Sequence, residues 1–419
     1  MRLKTGFFIF IFLITSLTSK LPATPDELFS QPEGRAVVAL RVFQKNNFVS
    51  NLKPEDFEVL ENRIPRKIES IYLVEKSRVL KLQENQPKAF YTHNNYYIIV
   101  QASEYDRKLG EAVSYLINNY FQTGDSLTVI TPIKVYRFNP ETLSRRPRSE
   151  VSKELQNIMR TDIIRGARDY NSLLLDLKRL TRSLVSFGGE RAGADPEVEN
   201  EMDTTTTQDF GIEQLLGRYK YTLEKLDGLR LADQNKFLDF ADSLKKTTGQ
   251  NVVFFFYQRE FRPELSPRII NQMMSIYQDY PHVLSLLMEL FQFYRRENKM
   301  DKKLLGEAMS DSGALFNFIY LNKKPERITG VVMNEQSEDV FETLSVLARA
   351  TGGIIDQTFN PLEGIKKSAE NMSSYYLIFY LSDPSQLSPG FCQIQVNLKG
   401  RPELQVRHRW GYFPESLKY

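Results

Sequence analysis

The stretch at residues 94–131, NNYYIIVQASEYDRKLGEAVSYLINNYFQTGDSLTVIT, decides the fold. Residues 96–100 are a short apolar run, typical of a strand that helices bury on both faces. A helix is predicted at residues 107–121, and a second strand follows it. Strands that alternate with helices predict an α/β fold with a doubly wound, mainly parallel sheet. In such a sheet the turn after the first strand, here 101–105, is where chemistry is expected.

The alternation of strands and helices continues along the chain. The sequence predicts an edge strand at KVYRFN, further strands at NVVFFFY, ALFNFIYL and GIIDQ, and helices at 149–160, 169–185 and 337–350. The last of these helices is followed by Gly352 and Gly353, which suit a helix C-cap.

Two kinds of segment interrupt this alternation. Residues 186–211 are polar, acidic and poor in apolar side chains, which predicts a mobile loop. Helical insertions are predicted at 212–247 and 265–300. The first carries apolar residues at spacings of 4, 3, 4 and 3, which favours a helix that packs on another helix: Ile212, Leu216, Tyr219, Leu223 and Leu226.

The second insertion also has an apolar helical face. Leu284, Leu287, Phe291 and Tyr294 fall on one side of a helix at 3.6 residues per turn. The face suits either core packing or the binding of a partner, and the sequence leaves both interpretations open.

Short β segments flank the α/β unit. An N-terminal β segment is predicted at 35–75, with a hairpin around Glu61-Asn62-Arg63, and C-terminal β strands at 373–415. Neither piece can bury an apolar face alone. We expect the two pieces to pack together in a small β-sandwich-like unit, and the alternative is that the C-terminal strands extend the central sheet.

Composition excludes several classes of protein. The 419 residues carry a net charge of +3 and no concentrated basic face, which argues against nucleic-acid binding. The single cysteine, Cys392, cannot form an intramolecular disulfide and is interpreted as a small buried apolar residue. His93, His282 and His408 are scattered without metal-ligand spacing, and no Gly-rich phosphate loop or Gly-x-Ser-x-Gly motif occurs.

The first residues resemble an export signal. Arg2 and Lys4 precede an apolar run at 7–14, and small residues follow at 16–19. The run is shorter than the roughly 20 apolar residues of a membrane span. We therefore predict a cleaved signal peptide at 1–19 and a periplasmic or extracellular protein without a membrane span, with an uncleaved anchor as the alternative.

Several motifs together resemble one family. LKPEDFEVLENRIPRKI before the α/β unit, ATGGIIDQ inside it, and SSYYLIFYLSD with VRHRWGYFPE after it are similar to the secreted bacterial proteins grouped as von Willebrand factor A-related. The resemblance covers roughly residues 35–415 apart from the helical insertions. It implies a von Willebrand factor A-like domain at 94–372, flanked by the two β pieces.

The resemblance also implies a place for a metal ion. An intact A domain holds Mg²⁺ or a similar hard cation with an Asp-x-Ser-x-Ser turn after the first strand, a threonine from a second loop and a later aspartate. Hard cations require oxygen ligands and carboxylate charge. In this chain the three turn positions are Gln101, Ser103 and Tyr105, so an amide and a phenol stand where a carboxylate and a hydroxyl are needed.

The other ligand positions also depart from the pattern. Gly166 is present in the second loop but no threonine follows it, and Gln258 and Arg259 stand where the later aspartate belongs. Ser103 alone matches, and with Asp106 it suits a helix N-capping box. We therefore predict a degenerate site with no metal and no cofactor.

These observations favour a non-catalytic, exported protein-binding or scaffold protein. Its A-like domain would dock an unidentified protein partner without a metal, through the top of the sheet or through the added helices. The alternative is an adhesion-type receptor whose cation is displaced toward Glu104 and Asp106. A third hypothesis, an enzyme on this scaffold, has no positive sign in the sequence, and the oligomeric state stays open.

Overall fold

The structure is a computed structural model that describes residues 35–45, 47–82, 90–91, 93–187, 208–229, 233–295, 300–328, 331–382 and 390–414. The predicted signal peptide at 1–19 lies outside the described residues. So does most of the predicted mobile loop, and its two ends belong to helices.

The strands of the described residues are β1 (Arg35–Gln44), β2 (Asn47–Phe48), β3 (Phe57–Glu61), β4 (Ile64–Arg66), β5 (Ile68–Glu75), β6 (Arg78–Lys81), β7 (Phe90–Tyr91), β8 (Asn94–Gln101), β9 (Ser126–Ile130), β10 (Val135–Phe138), β11 (Gln250–Gln258), β12 (Phe261–Glu264), β13 (Leu315–Leu321), β14 (Val332–Glu335), β15 (Ile355–Thr358), β16 (Ser374–Leu381), β17 (Cys392–Leu398), β18 (Gln405–His408) and β19 (Gly411–Tyr412). The α-helices are α1 (Arg107–Tyr120), α2 (Pro140–Arg145), α3 (Arg148–Gly166), α4 (Arg168–Phe187), α5 (Gln208–Gly228), α6 (Gln234–Lys245), α7 (Pro267–Ile276), α8 (Pro281–Tyr294), α9 (Lys302–Asp311), α10 (Glu338–Ala350) and α11 (Pro361–Ser373).

The central sheet has the strand order β10-β9-β8-β11-β13-β15. Its strands are parallel except for β10, which pairs antiparallel at one edge. Strand β13 is buried along its whole length because helices cover both faces of the sheet. Helices α1, α3 and α11 pack on one face, and α6, α9 and α10 on the other. The predicted α/β class with parallel strands is confirmed.

The strand order reverses at the middle of this sheet. Strand β8 lies between β9 and β11, and the chain builds outward from it first in one direction and then in the other. At such a switch point the connections diverge and leave a crevice at the carboxyl ends of the strands. Gln101 at the end of β8 pairs with Tyr257 on β11, which places Gln258 beside the turn that follows β8.

The terminal strands form two sheets of their own. Strand β16 lies between β1 and β5 in a seven-stranded sheet, and a four-stranded sheet has the order β19-β17-β3-β4. One apolar cluster draws side chains from both sheets, including Val38, Val59, Ile378 and Ile394. The expectation that the N- and C-terminal strands pack together is therefore met by the strand pairing, and they do not extend the central sheet.

The added helices pack on one another. Helix α5 lies against α4 and α8, and the predicted apolar seam on α5 is fully buried. The buried side of α8, however, differs from the predicted face: Val283, Leu287, Leu290 and Phe293 are buried, whereas Phe291 is 38% exposed. The predicted position of Phe291 on the inner face is wrong. Helix α8 is apolar almost all round, so periodicity alone could not select its inner face.

The predicted boundaries of the acidic loop need correction. Residues 186–187 close α4 and residues 208–211 open α5, so both ends of the predicted 186–211 segment are helical. No helix in the described part of the chain combines the length and the apolar character needed to cross a membrane.

Candidate functional site

The turn after β8 leads directly into α1. Asp106 is the N-cap residue of α1, and its side chain accepts a hydrogen bond from the backbone N–H of Lys108 at 2.9 Å. The prediction that Ser103 caps this helix is wrong. Asp106 is an equally good capping residue and stands immediately before the first helical residue, so it takes the position.

Ser103 has a different partner, the side chain of Gln258. The Oε1 atom of Gln258 accepts hydrogen bonds from the backbone N–H of Ser103 at 2.9 Å, from Ser103 Oγ at 3.1 Å and from the backbone N–H of Glu104 at 3.0 Å. One amide oxygen from β11 thus holds the turn after β8. No local pattern indicates this contact, because it depends on β11 lying next to β8.

The polarity of this corner is opposite to that of a cation site. A divalent cation needs oxygen atoms that present lone pairs. Here the turn presents two backbone N–H groups and one hydroxyl hydrogen, all directed at a neutral oxygen on Gln258. Successive backbone N–H groups that converge in this way favour negative charge or an acceptor. The residues present therefore do not fit a metal ion at this corner.

The second loop reaches the turn through Asn171, a residue that the sequence argument did not single out. Asn171 Nδ2 on α4 donates to the carbonyl oxygen of Ser103 at 2.9 Å. Gly166 serves close packing instead, since a Cβ placed on it would lie 2.8 Å from Pro132 Cβ. The only signal of this contact in the sequence is an amide residue, Asn171, five positions after Gly166.

Arg259 is neutralised by a carboxylate on a neighbouring strand. Its guanidinium forms an ion pair with Glu335 on β14 and lies 5.3 Å from the ring centroid of Phe261. The hydrogen bond with Glu335 raises the pKa of Arg259. Burial raises the pKa of Glu335, but hydrogen bonds from Arg259 and Tyr320 outweigh burial and leave that pKa below its ordinary value. The positive charge of Arg259 is thus balanced by Glu335.

Tyr105 and Gln101 complete the predicted positions. The Tyr105 ring packs on the apolar cluster beneath α1, and a Cβ on Gly110 would lie 2.6 Å from its hydroxyl oxygen. Burial raises the pKa of Tyr105, so the phenol stays neutral. Gln101 is the last residue of β8, and its side chain is half-buried. Neither residue contributes a charge to the corner.

The two acidic residues of the turn have partners of their own. Glu104 Oε1 lies 2.5 Å from Lys323 Nζ, and Asp106 caps α1. Within the described ranges, no three His, Cys, Asp or Glu side chains come together in a way that could hold a metal ion. A cation displaced toward Glu104 and Asp106 would have to compete with these contacts.

Cys392 on β17 and His408 on β18 lie in the terminal sheets. Burial raises the pKa of the Cys392 thiol to about 12, which keeps it protonated and unreactive. Burial also lowers the pKa of His408, whose Nε2 atom accepts from the backbone N–H of Val396 at 3.4 Å. Both side chains serve the packing of β17 and β18.

The carboxyl edge of the central sheet also carries exposed apolar side chains. Ile133 follows β9 and is 52% exposed, Ile164 near the end of α3 is 56% exposed, and Phe359 after β15 is 60% exposed. A Cβ on Gly166 would lie 3.3 Å from Ile133 Cγ1, so the first two side chains belong to adjoining segments. We call Ile133, Ile164 and Phe359 the apolar rim.

Comparisons with known proteins give little. No protein-family model matches the chain, and no curated protein matches it. The crystal structure of the human COPII-coat protein Sec24c is similar at 9% identity and a TM-score of 0.28, over 76% of this chain and 44% of that chain. This chain thus spans less than half the length of that protein, and a superposition at this level carries no argument about fold or function.

Proposed function

We propose that this chain is an exported, non-catalytic protein that binds a protein partner through a von Willebrand factor A-like domain without a metal ion. The observation that carries the proposal is the corner between β8 and β11. There the oxygen of Gln258 accepts three hydrogen bonds from the turn that would hold a cation in an intact A domain.

The fold assignment draws on two lines of support. The strand order of the central sheet places a switch point where the resemblance places the metal turn. The motifs at the two ends of the chain fall in the two terminal sheets, with β3 in the four-stranded sheet and β16 and β18 in the seven-stranded sheet. The low structural similarity to solved proteins adds nothing to this assignment.

Protein binding is favoured by the surface around the corner. The carboxyl edge of the central sheet carries both the apolar rim and the Glu104–Lys323 ion pair. Apolar side chains next to paired charges are typical of docking surfaces, in which buried apolar contacts supply affinity and charges supply specificity. The added helices offer a second surface, through Ile276 and Met288, which are 50% and 57% exposed.

A divalent-ion titration tests the absence of a metal. We expect the midpoint of thermal unfolding to be the same in Mg²⁺, in Mn²⁺ and after treatment with a chelator, since a ligand stabilises a fold only if it binds the folded state. An increase in the midpoint with either ion that chelation reverses would contradict the proposal and favour a displaced cation site.

A capture experiment tests the binding surface. The intact protein is crosslinked in its native envelope, and the variants Ile133→Asp and Phe359→Asp are compared with Ile276→Asp as a matched control of similar exposure. We expect the first two variants to lose the partner that the control retains. If only Ile276→Asp loses that partner, the binding surface lies on the added helices instead.

A further inference from the structure

Two arginines stand directly opposite each other in the seven-stranded sheet. Arg41 on β1 pairs with Arg407 on β18 in the antiparallel register. Like charges at directly opposite positions destabilise a strand pair. A sheet that retains such a pair needs something that offsets the repulsion.

Arg41 is the more deeply buried of the two. It is 2% exposed, its Nε donates to the carbonyl oxygen of Asn371 at 2.8 Å, and its guanidinium lies 5.1 Å from the ring centroid of Tyr375. Its Nη2 atom has no hydrogen-bond partner in the described part of the chain. Burial, with a smaller contribution from Arg407, lowers the pKa of Arg41 to about 10, so the guanidinium is charged at neutral pH without a counter-charge.

Arg407 extends the positive site toward solvent. Its side chain is half-buried, its guanidinium lies 4.8 Å from the ring centroid of Phe43, and burial lowers its pKa. Neither Arg407 nor Arg41 forms an ion pair with any residue that the structure describes.

Asn371, in the last turn of α11, supplies a further polar group. It is 6% exposed, and neither its Nδ2 nor its Oδ1 atom has a hydrogen-bond partner among the described residues. Buried polar groups in native proteins are almost always hydrogen-bonded. The unpaired guanidinium nitrogen of Arg41 and the unpaired amide of Asn371, two residues joined by a hydrogen bond, therefore indicate a place for a bound polar ligand.

We propose that Arg41 and Arg407, with the Asn371 amide, form a binding site for an oxyanion such as a phosphate, sulfate or carboxylate group. Guanidinium groups present planar sets of N–H donors that match two oxygens of such an anion. The anion would bridge the two strands and neutralise charge that the protein itself leaves unpaired. Arg407, which is half-buried, provides the approach from solvent.

The test is the dependence of unfolding on the anion. The full chain is titrated with sodium phosphate and sodium sulfate, and with sodium chloride at equal ionic strength, and thermal unfolding is followed. We expect phosphate and sulfate to raise the midpoint beyond chloride. Above the dissociation constant, each tenfold increase in free anion should raise the folding equilibrium constant tenfold. Equal midpoints in all three salts would overturn the proposal.

Variants identify the residues. Arg407→Met should abolish the specific response to phosphate and leave the protein folded, because the side chain is half-exposed. Arg41→Met should abolish the same response and, without phosphate, unfold no more easily than the native protein, since it removes an unneutralised buried charge. The matched control is Arg179→Met, whose side chain is 79% exposed on α4. A full phosphate response in Arg407→Met would overturn the proposal even if Arg41→Met failed to fold.

The source of the anion is resolved by a second titration, of glycerol 3-phosphate against inorganic phosphate. Tighter binding of the ester identifies a phosphoryl group carried on a larger molecule, whereas equal or weaker binding identifies the free ion. Both outcomes require the response to be lost in Arg407→Met.

Discussion

At the scale of single residues, the sequence supports an expectation about metal ligands at the corner but not about its hydrogen bonds. An amide at Gln101 and a phenol at Tyr105 already argue against a hard cation. The role of Gln258 could not be predicted, because a side chain's partner across two parallel strands depends on their register. Ser103 was assigned to the wrong bond for a local reason: Asp106 lies closer to the first turn of α1 and outcompetes it as the N-cap.

The hydrogen bonds of Gln258 predict the behaviour of two substitutions. Gln258→Ala removes the common acceptor of three donors and should lower the free energy of unfolding by about 1–3 kcal/mol. Gln258→Glu keeps an acceptor in place, and a carboxylate held by these donors should have a pKa below its ordinary value of about 4.3. Chemical denaturation of both variants measures the two effects.

The pH dependence of Gln258→Glu supplies the control. A depressed carboxyl pKa in the folded state stabilises the fold above the pKa of the unfolded chain, and that stabilisation is lost as pH falls through the folded value. We therefore expect Gln258→Glu to be at least as stable as the native protein at pH 7 and to lose the advantage in acid. If its stability at pH 7 matched that of Gln258→Ala instead, the corner would not favour an acceptor.

At the scale of elements, long apolar runs were predictable and short polar ones were not. The strand β11 and the helix α10 follow from continuous apolar character and from helical periodicity with a glycine stop. The C-cap of α10 is a Schellman motif, in which the N–H of Gly353 donates to Ala348 O at 2.9 Å and that of Gly352 to Arg349 O at 3.2 Å. The β12–β14 ribbon was missed, since β12 contains Pro263, which argues against a strand.

The close approach at Gly353 predicts a severe effect of a single methyl group. A Cβ on Gly353 would lie 1.9 Å from the carbonyl oxygen of Phe316 on β13, so the α10–β15 connection must move to accept it. We expect Gly353→Ala to lower the free energy of unfolding by about 3 kcal/mol. The same change at Gly217, inside α5, meets nothing within 4 Å and should raise it by about 0.5–1 kcal/mol. Denaturant melts compare the two, and a Gly353→Ala variant as stable as the native protein would show that the close approach to Phe316 does not constrain the connection.

At the scale of the whole molecule, the two ends of the chain build one structure. Strand β16 is inserted between β1 and β5, so the N-terminal strands are incomplete until the C-terminal segment arrives. The sequence supplied the reason, because neither β piece could bury a face alone, but the insertion of β16 is a long-range pairing that no local pattern encodes. The end of the chain also reaches the α/β unit, where Ser310 Oγ bonds both the N–H and the carbonyl oxygen of Gly411 at 2.9 Å.

The single tryptophan reports on this junction. Trp410 donates its backbone N–H to Ala350 O at 2.8 Å, and its ring lies so close to α9 that a Cβ on Gly306 would be 2.9 Å from Cζ3. We expect the fluorescence of Trp410 and the far-ultraviolet circular dichroism to change in one coincident transition, because the terminal sheets and the α/β unit share these contacts. Chains of this size often unfold domain by domain, so a single transition would require these contacts to couple the terminal sheets to the α/β unit.

A substitution at the junction tests this coupling. Gly306→Val pushes a branched side chain into the Trp410 ring and should cost about 1–3 kcal/mol by overpacking. It should also separate the two transitions, with fluorescence changing first, because the contact that couples the terminal sheets to α9 is weakened. Gly217→Val places the same side chain in an open stretch of α5 and should shift both transitions together. Separate transitions in the native protein would show that the terminal sheets unfold independently of the α/β unit. The contacts of Trp410 would then not couple the unfolding of the two parts.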